Sequence, residues 1–146
     1  MSDSIVVGTD GSDTASRALD EAIRLAKALD AEVHVVSAYE PLRGAKVRGA
    51  PEGAAKVYAP LPDTLVTGIL EQATTKVRLT GLKAEGHPVQ EDPADALLTV
   101  ADEVGAQLIV VGSKGMHGAK RMLGSVPNHV SHHAHCNVLI VSTDGA

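Results

Sequence analysis

Tryptophan and phenylalanine are absent from this 146-residue chain, and Tyr39 and Tyr58 are its only tyrosines. Any core must therefore be built from Val, Leu, Ile and Ala. The same shortage excludes a base-stacking platform for single-stranded nucleic acid and an aromatic sandwich around a flavin. Cysteine is nearly missing too. Cys136 stands alone, so no internal disulfide can form, and a reducing compartment suits the chain. Positive charge is also short: 13 Lys and Arg face 18 Asp and Glu, a formal charge of −5. That balance argues against coating DNA or RNA with a broadly basic face. No apolar run approaches the ~20 residues of a membrane-spanning helix. Met1-Ser2-Asp3-Ser4 has neither the basic start nor the apolar stretch of a secretory signal. The expectation is a cytoplasmic protein with no membrane and no nucleic-acid partner.

What is present is a globular composition, 44% hydrophobic and 21% charged. At roughly 100–200 residues per domain, the length predicts one domain over 1–146. Four short runs, Ile5 to Val7, Val33 to Val36, Leu108 to Val111 and Val138 to Val141, are rich in β-branched residues and continuous rather than alternating. Such runs read as strands buried on both faces, hence a parallel sheet. Helical spacing lies between them. Ala15, Ala18, Leu19, Ala22, Ala26 and Leu29 share one face, as do Leu65, Ile69, Ala73 and Val77, and again Ala94, Leu97, Leu98, Ala101 and Val104. Ser12 suits the cap of the first helix, and Asp92-Pro93 suits the start of the third. The weaker segment Lys83 to Val89, with Gly86 and Pro88, fits a strand at a sheet edge. The order β-α-β-α-β-α-β-α-β predicts an α/β fold: a single doubly wound, five-stranded parallel sheet with helices on both faces.

Residues 40–62 break this pattern with Pro41, Gly44, Gly49, Pro51, Gly53, Pro60 and Pro62. Arg43, Lys46, Arg48 and Lys56 against Glu40 and Glu52 make the segment locally basic. It reads equally as a solvated linker or as a lid.

Ligands of an open α/β sheet sit beyond the carboxyl ends of its strands, where strand order reverses. The residues there are Gly8-Thr9-Asp10-Gly11-Ser12, Ser37-Ala38-Tyr39, and Gly112-Ser113-Lys114-Gly115-Met116-His117-Gly118 leading to Gly124-Ser125-Val126-Pro127. Closely spaced glycines let backbone N–H groups approach an anion, and a helix starting near Ser125 offers its dipole to phosphate. Lys114, Lys120 and Arg121 add positive charge. The P-loop pattern G-x-x-x-x-G-K-[ST] is missing, and so is G-x-G-x-x-G after the first strand. These absences argue against a P-loop hydrolase and a dinucleotide dehydrogenase.

Val6 to Ser12, Asp92 to Leu98, Leu108 to Gly115, Leu123 to Pro127 and Cys136 to Val141 together resemble the universal stress proteins, over essentially the whole chain. The ATP-binding branch of that family carries G-x2-G-x9-G-[ST]. Here eight residues, Met116 to Leu123, separate Gly115 from Gly124-Ser125, one fewer than the pattern. The resemblance implies that Asp10 binds ribose hydroxyls, with Gly8 and Thr9 flanking the adenosine and Ala38 against the adenine. It places Val111 and Gly112 along base and sugar, and Gly115, Gly124, Ser125 and Val126 on phosphates, with Lys114 adding charge. It also implies ATP or another adenine nucleotide (AMP or cAMP) as ligand, Mg²⁺ accompanying ATP, and a homodimer through the last strand. Asp10 has an alternative role as a turn residue in Thr9-Asp10-Gly11.

His129, His132, His133 and His135 crowd one segment beside Cys136. Helical spacing permits a zinc site, but no ligand pattern such as H-E-x-x-H supports it, and a polar helix surface is the favoured reading. His117 in the glycine loop is the better candidate for touching phosphate. Cys136 reads as a small hydrophobe. No catalytic Ser-His or Cys-His arrangement is visible, and the adenylyl-transfer patterns H-x-G-H and S-G-G-x-D-S are absent. A receiver domain would want an acidic pair at the first strand, and Asp10 has no such neighbour. The reading that remains is a nucleotide-binding regulatory module acting on an unidentified protein partner in a stress response, with a slow ATPase as the alternative.

Overall fold

A computed structural model describes residues 3–39, 62–113 and 124–142. These form strands β1 (Asp3–Gly8), β2 (Ala31–Ala38), β3 (Ala84–Val89), β4 (Leu108–Gly112) and β5 (Asn137–Val141). The helices are α1 (Asp13–Leu29), α2 (Pro62–Arg78), α3 (Pro93–Val104) and α4 (Ser125–His133). All strand pairs are parallel, in the order β3-β2-β1-β4-β5. The alternation and the all-parallel sheet are those expected from the apolar runs. Segment 40–62, Tyr58 included, lies outside the described residues except at its last position, Pro62.

Ile5, Val6 and Val7 are completely buried, because β1 is hydrogen-bonded on both sides and covered on both faces. Ile5 and Val7 point into one core with Leu19, Ala22 and Ala26 of α1, Val66, Leu70 and Val77 of α2, and Val33 and Val35 of β2. Val6 points into the other, with Leu97, Val100 and Ala101 of α3, Val130 of α4, and Ile109 and Val111 of β4. Period-two strand geometry thus splits one continuous run between two cores.

Two of the predicted helix faces shift. Leu29 and Leu65 are exposed at 53% and 58%. In α2 the inward face is Val66, Leu70, Ala73, Thr74 and Val77, one residue on from the predicted start. The buried Thr74 hydroxyl makes this possible by donating to the Leu70 carbonyl at 2.9 Å. Leu29 lies in the last turn of α1, next to the left-handed Asp30 cap, and has run past the sheet. Lys76 ties α2 to α1, at 2.6 Å from an Asp20 carboxylate oxygen and 3.2 Å from the Ser16 hydroxyl.

β3 and β5 are the sheet edges, as Gly86, Pro88 and the C-terminal position predicted. Gly86 is needed for a packing reason. A Cβ there would sit 3.3 Å from the Leu70 Cβ and 3.5 Å from the Thr74 Cγ2, so β3 rests directly on α2. Gly86→Val is therefore expected to cost about 1–3 kcal/mol by overpacking, measured as a lower urea midpoint with an unchanged m-value.

Candidate functional site

β2 lies on one side of β1 and β4 on the other, so the connections leaving β1 and β4 diverge. A cavity of about 480 Å³ opens at that point, within the ~300–1,000 Å³ typical of small-molecule sites. Its floor is the carboxyl ends of three strands: Gly8 of β1, Val36 and Ala38 of β2, and Val111 and Gly112 of β4.

One wall is the β1–α1 turn. The Thr9 hydroxyl accepts from Gly11 N–H at 3.1 Å, and the Asp10 carboxylate accepts from Ser12 N–H at 2.9 Å. Gly11 takes φ +83°, a left-handed conformation that suits glycine, with Ile69 of α2 packed against it. Ser12 then caps α1 by accepting from Ala15 N–H at 3.2 Å. Asp10 is a turn residue that also lines the cavity.

The opposite wall comes from α3 and α4. Asp92 caps α3, accepting from Ala94 N–H at 3.2 Å, with Pro93 in the first turn and Leu97 one turn on, both facing the cavity. α4 is different. Its cap position is Gly124, which has no side chain to accept from the first turn. Gly124, Ser125, Val126 and Pro127 all line the cavity, and Pro127 carries no N–H. The positive end of α4 thus meets the cavity without a side-chain hydrogen bond from its own cap residue, whereas α1 and α3 are capped by Ser12 and Asp92. An anion there would meet backbone donors and a favourable dipole.

Of the residues singled out from the sequence, Gly8, Thr9, Asp10, Ala38, Val111, Gly112, Gly124, Ser125 and Val126 converge on this cavity. Lys114 and Gly115, together with His117, Lys120 and Arg121, lie outside the described residues. Residues not anticipated also line it. Thr14, Ala15 and Ala18 come from the first turns of α1, and Val36, Pro93 and Leu97 form the apolar lining. Their signal was available: small residues at helical spacing just after a ligand-type loop, and an apolar residue one turn beyond a Pro start.

His129, His132 and His133 line a second pocket with Asp92 and Asn128, but among the described residues they do not form a metal-type group with ligand atoms within 4.8 Å of one another. His129 faces Asp95, Nε2 to Oδ1 at 3.3 Å, and stacks on His133 with centroids 4.3 Å apart. His133 donates from Nδ1 to the His129 carbonyl at 2.9 Å, and His135 reaches Asp102 at 3.1 Å. Cys136 is half-buried against the α3–α4 core. Burial, helped by the Asp102 charge, raises its thiol pKa, which favours the protonated thiol over the thiolate. Instead, His34 and His87 meet on β2 and β3. They went unnoticed because Val33 to Val36 was read as an apolar run.

Residues 1–142 match the family model of the universal stress protein family. A universal stress protein of Mycobacterium tuberculosis H37Rv is 41% identical over 141 residues, covering 95% of each chain. Among solved structures, a universal stress protein in complex with cAMP is similar at 35% identity and a TM-score of 0.75, covering 98% of both chains. The universal stress protein of Archaeoglobus fulgidus in complex with dAMP is similar at 26% identity and a TM-score of 0.67, covering 95% of this chain and 97% of that one.

Proposed function

The chain belongs to the universal stress protein family, and from that membership we propose that it is a cytoplasmic adenine-nucleotide-binding module, one domain over 1–146, that acts through occupancy rather than turnover. The observation that carries this reading is the uncapped start of α4 at Gly124, set across the cavity from Asp10. A nucleotide has a matching polarity, with a vicinal diol at one end and phosphate at the other. The Asp10 carboxylate accepts from the ribose hydroxyls, Gly8 and Thr9 flank the sugar, and Ala38 lies against adenine. Val111 and Gly112 border base and sugar. Ser125 and Val126 N–H groups hold phosphate behind Gly124, with Gly115 and Lys114 supplying further donors and charge. The complexes of two relatives, with cAMP and with dAMP, agree with an adenine monophosphate scaffold. ATP fits the same scheme, with Mg²⁺ carried on its phosphates.

The lining also speaks against rapid hydrolysis. In-line attack on a γ-phosphate needs a group that orients water, and among the described lining residues Asp10 is the one acidic or basic side chain. It is engaged by the turn and by ribose. A bound nucleotide then works as a signal read by a protein partner.

β5 supplies the second half of the proposal. It is an edge strand whose Val138, Leu139, Ile140 and Val141 are half-buried, and natural proteins cover such edges. A second copy pairing along β5 would do so and make the molecule a homodimer.

Protein purified without added nucleotide and then heat-denatured should release an adenine nucleotide identifiable by mass spectrometry. By calorimetry, Asp10→Ala should weaken ATP and adenosine alike by about 1–3 kcal/mol, since both carry the ribose; unchanged adenosine affinity would reduce Asp10 to its turn. Steady-state phosphate release should fall far below the ~10 s⁻¹ of a typical enzyme, and release at several per second would favour the slow-ATPase alternative. Light scattering at micromolar protein should give twice the chain mass, and a monomer mass with and without nucleotide would defeat the pairing through β5.

A further inference from the structure

β2 and β3 carry the same short pattern, Glu32-Val33-His34 and Glu85-Gly86-His87. Residues two apart share a face of a strand, and the register sets His34 beside Glu85 and Val36 beside His87. Val36 belongs to the core covered by α3, so both histidines and both glutamates lie on that side of the sheet. His34 Nδ1 is 2.9 Å from His87 Nε2 and 3.8 Å from Glu85 Oε1. Among the described residues, these three side chains are the group whose ligand-type atoms all fall within 4.8 Å of one another.

From this geometry we propose that His34, Glu85 and His87 bind a divalent transition-metal ion of the zinc class, clamping the edge strand β3 to β2. Two imidazole nitrogens and one carboxylate oxygen are a zinc donor set, and an all-oxygen ion such as Mg²⁺ or Ca²⁺ would find too few partners. The distances are close to what is needed. At metal–ligand lengths of ~2.0–2.1 Å, tetrahedral donors stand roughly 3.3–3.4 Å apart, between the two separations observed. His87 must move out and Glu85 in by a few tenths of an ångström.

Protonation is also prepared. His34 is only 4% exposed, and its Nε2 is 2.8 Å from Glu32 Oε1. A carboxylate only accepts, so Nε2 carries a proton, which leaves Nδ1 as the nitrogen facing the cluster. A carboxylate holding the far nitrogen of a histidine ligand is the outer-shell arrangement that fixes tautomer and ring orientation in metal sites. The Glu85 side chain is 67% exposed, leaving a path for the ion and a position open to water.

The test is calorimetric titration of the full chain with Zn²⁺ alone, paired with X-ray absorption at the zinc edge. One ion per chain is expected at micromolar Kd or tighter, with a light-atom shell containing two imidazoles and a rise in Tm. His87→Asn and Glu85→Gln should each weaken binding at least ~10-fold, and Glu32→Gln roughly 10–100-fold. The double variant His129→Asn with His133→Asn should leave it unchanged. Glu85→Gln alters an exposed side chain, so it keeps the test decisive if His87→Asn unfolds. Absence of stoichiometric binding, binding undiminished in Glu85→Gln, loss in the His129–His133 variant, or a sulfur ligand from Cys136 would each overturn the proposal.

Discussion

The complete burial of Ile5, Val6 and Val7 in β1 is the constraint on which the remaining architecture depends. A strand hydrogen-bonded along both edges and covered on both faces leaves no side chain of Ile5, Val6 or Val7 in contact with water. That requires a neighbour on each side and helices above and below, which fixes a parallel doubly wound sheet with two separate cores. Those cores contain no Phe or Trp, so small branched side chains do the filling and helices can ride close to the strands, as α2 does over Gly86. The cavity follows from the same constraint. With β2 and β4 on opposite sides of β1, the connections leaving β1 and β4 diverge and open a crevice.

The walls of that crevice divide their work by how each helix begins. α1 and α3 are closed by Ser12 and Asp92, whose oxygens satisfy first-turn N–H groups. α4 starts at Gly124 without such an oxygen. Two of the helices are thus closed by their own cap residues, and the third leaves its first-turn N–H groups without a hydrogen bond from its cap side chain. The polar content of the described site is concentrated at Asp10 on one side and at the start of α4 on the other, with Val36, Leu97 and Val111 between.

Most of this frame was legible in the sequence, because continuous β-branched runs, Ser12, Asp92-Pro93 and the Gly86–Pro88 edge each have a local physical cause. Legibility failed where the cause was tertiary. The inward face of α2 turned by one residue because Thr74 can bury its hydroxyl on its own helix, and periodicity alone does not count a threonine as core. Leu29 fitted the helical stripe but lies beyond the sheet it was meant to cover. His34 was hidden for the converse reason: a polar residue inside an apolar run reads as noise until a partner from another strand, His87, is placed against it. The cavity residues contributed by loops follow from glycine spacing, whereas Ala15, Pro93 and Leu97 carry a weaker local signal that only the packing of α1 and α3 against the strand ends turns into a wall.

The strand order has a consequence for how the molecule comes into being. Residues of β1 pair with β2 in the register Ile5↔Val33 but with β4 in the register Ile5↔Leu108. β1 therefore precedes its second neighbour in the chain and must wait for it until α1, β2, α2, β3 and α3 have been made. Closing so long a loop is entropically costly and slow relative to local pairing. Until β4 arrives, one edge of β1 and its most apolar side chains are open to any passing strand, a window in which chaperone binding or misassembly competes with folding. The cavity matures on the same schedule, because Gly8 and Val126 are both required.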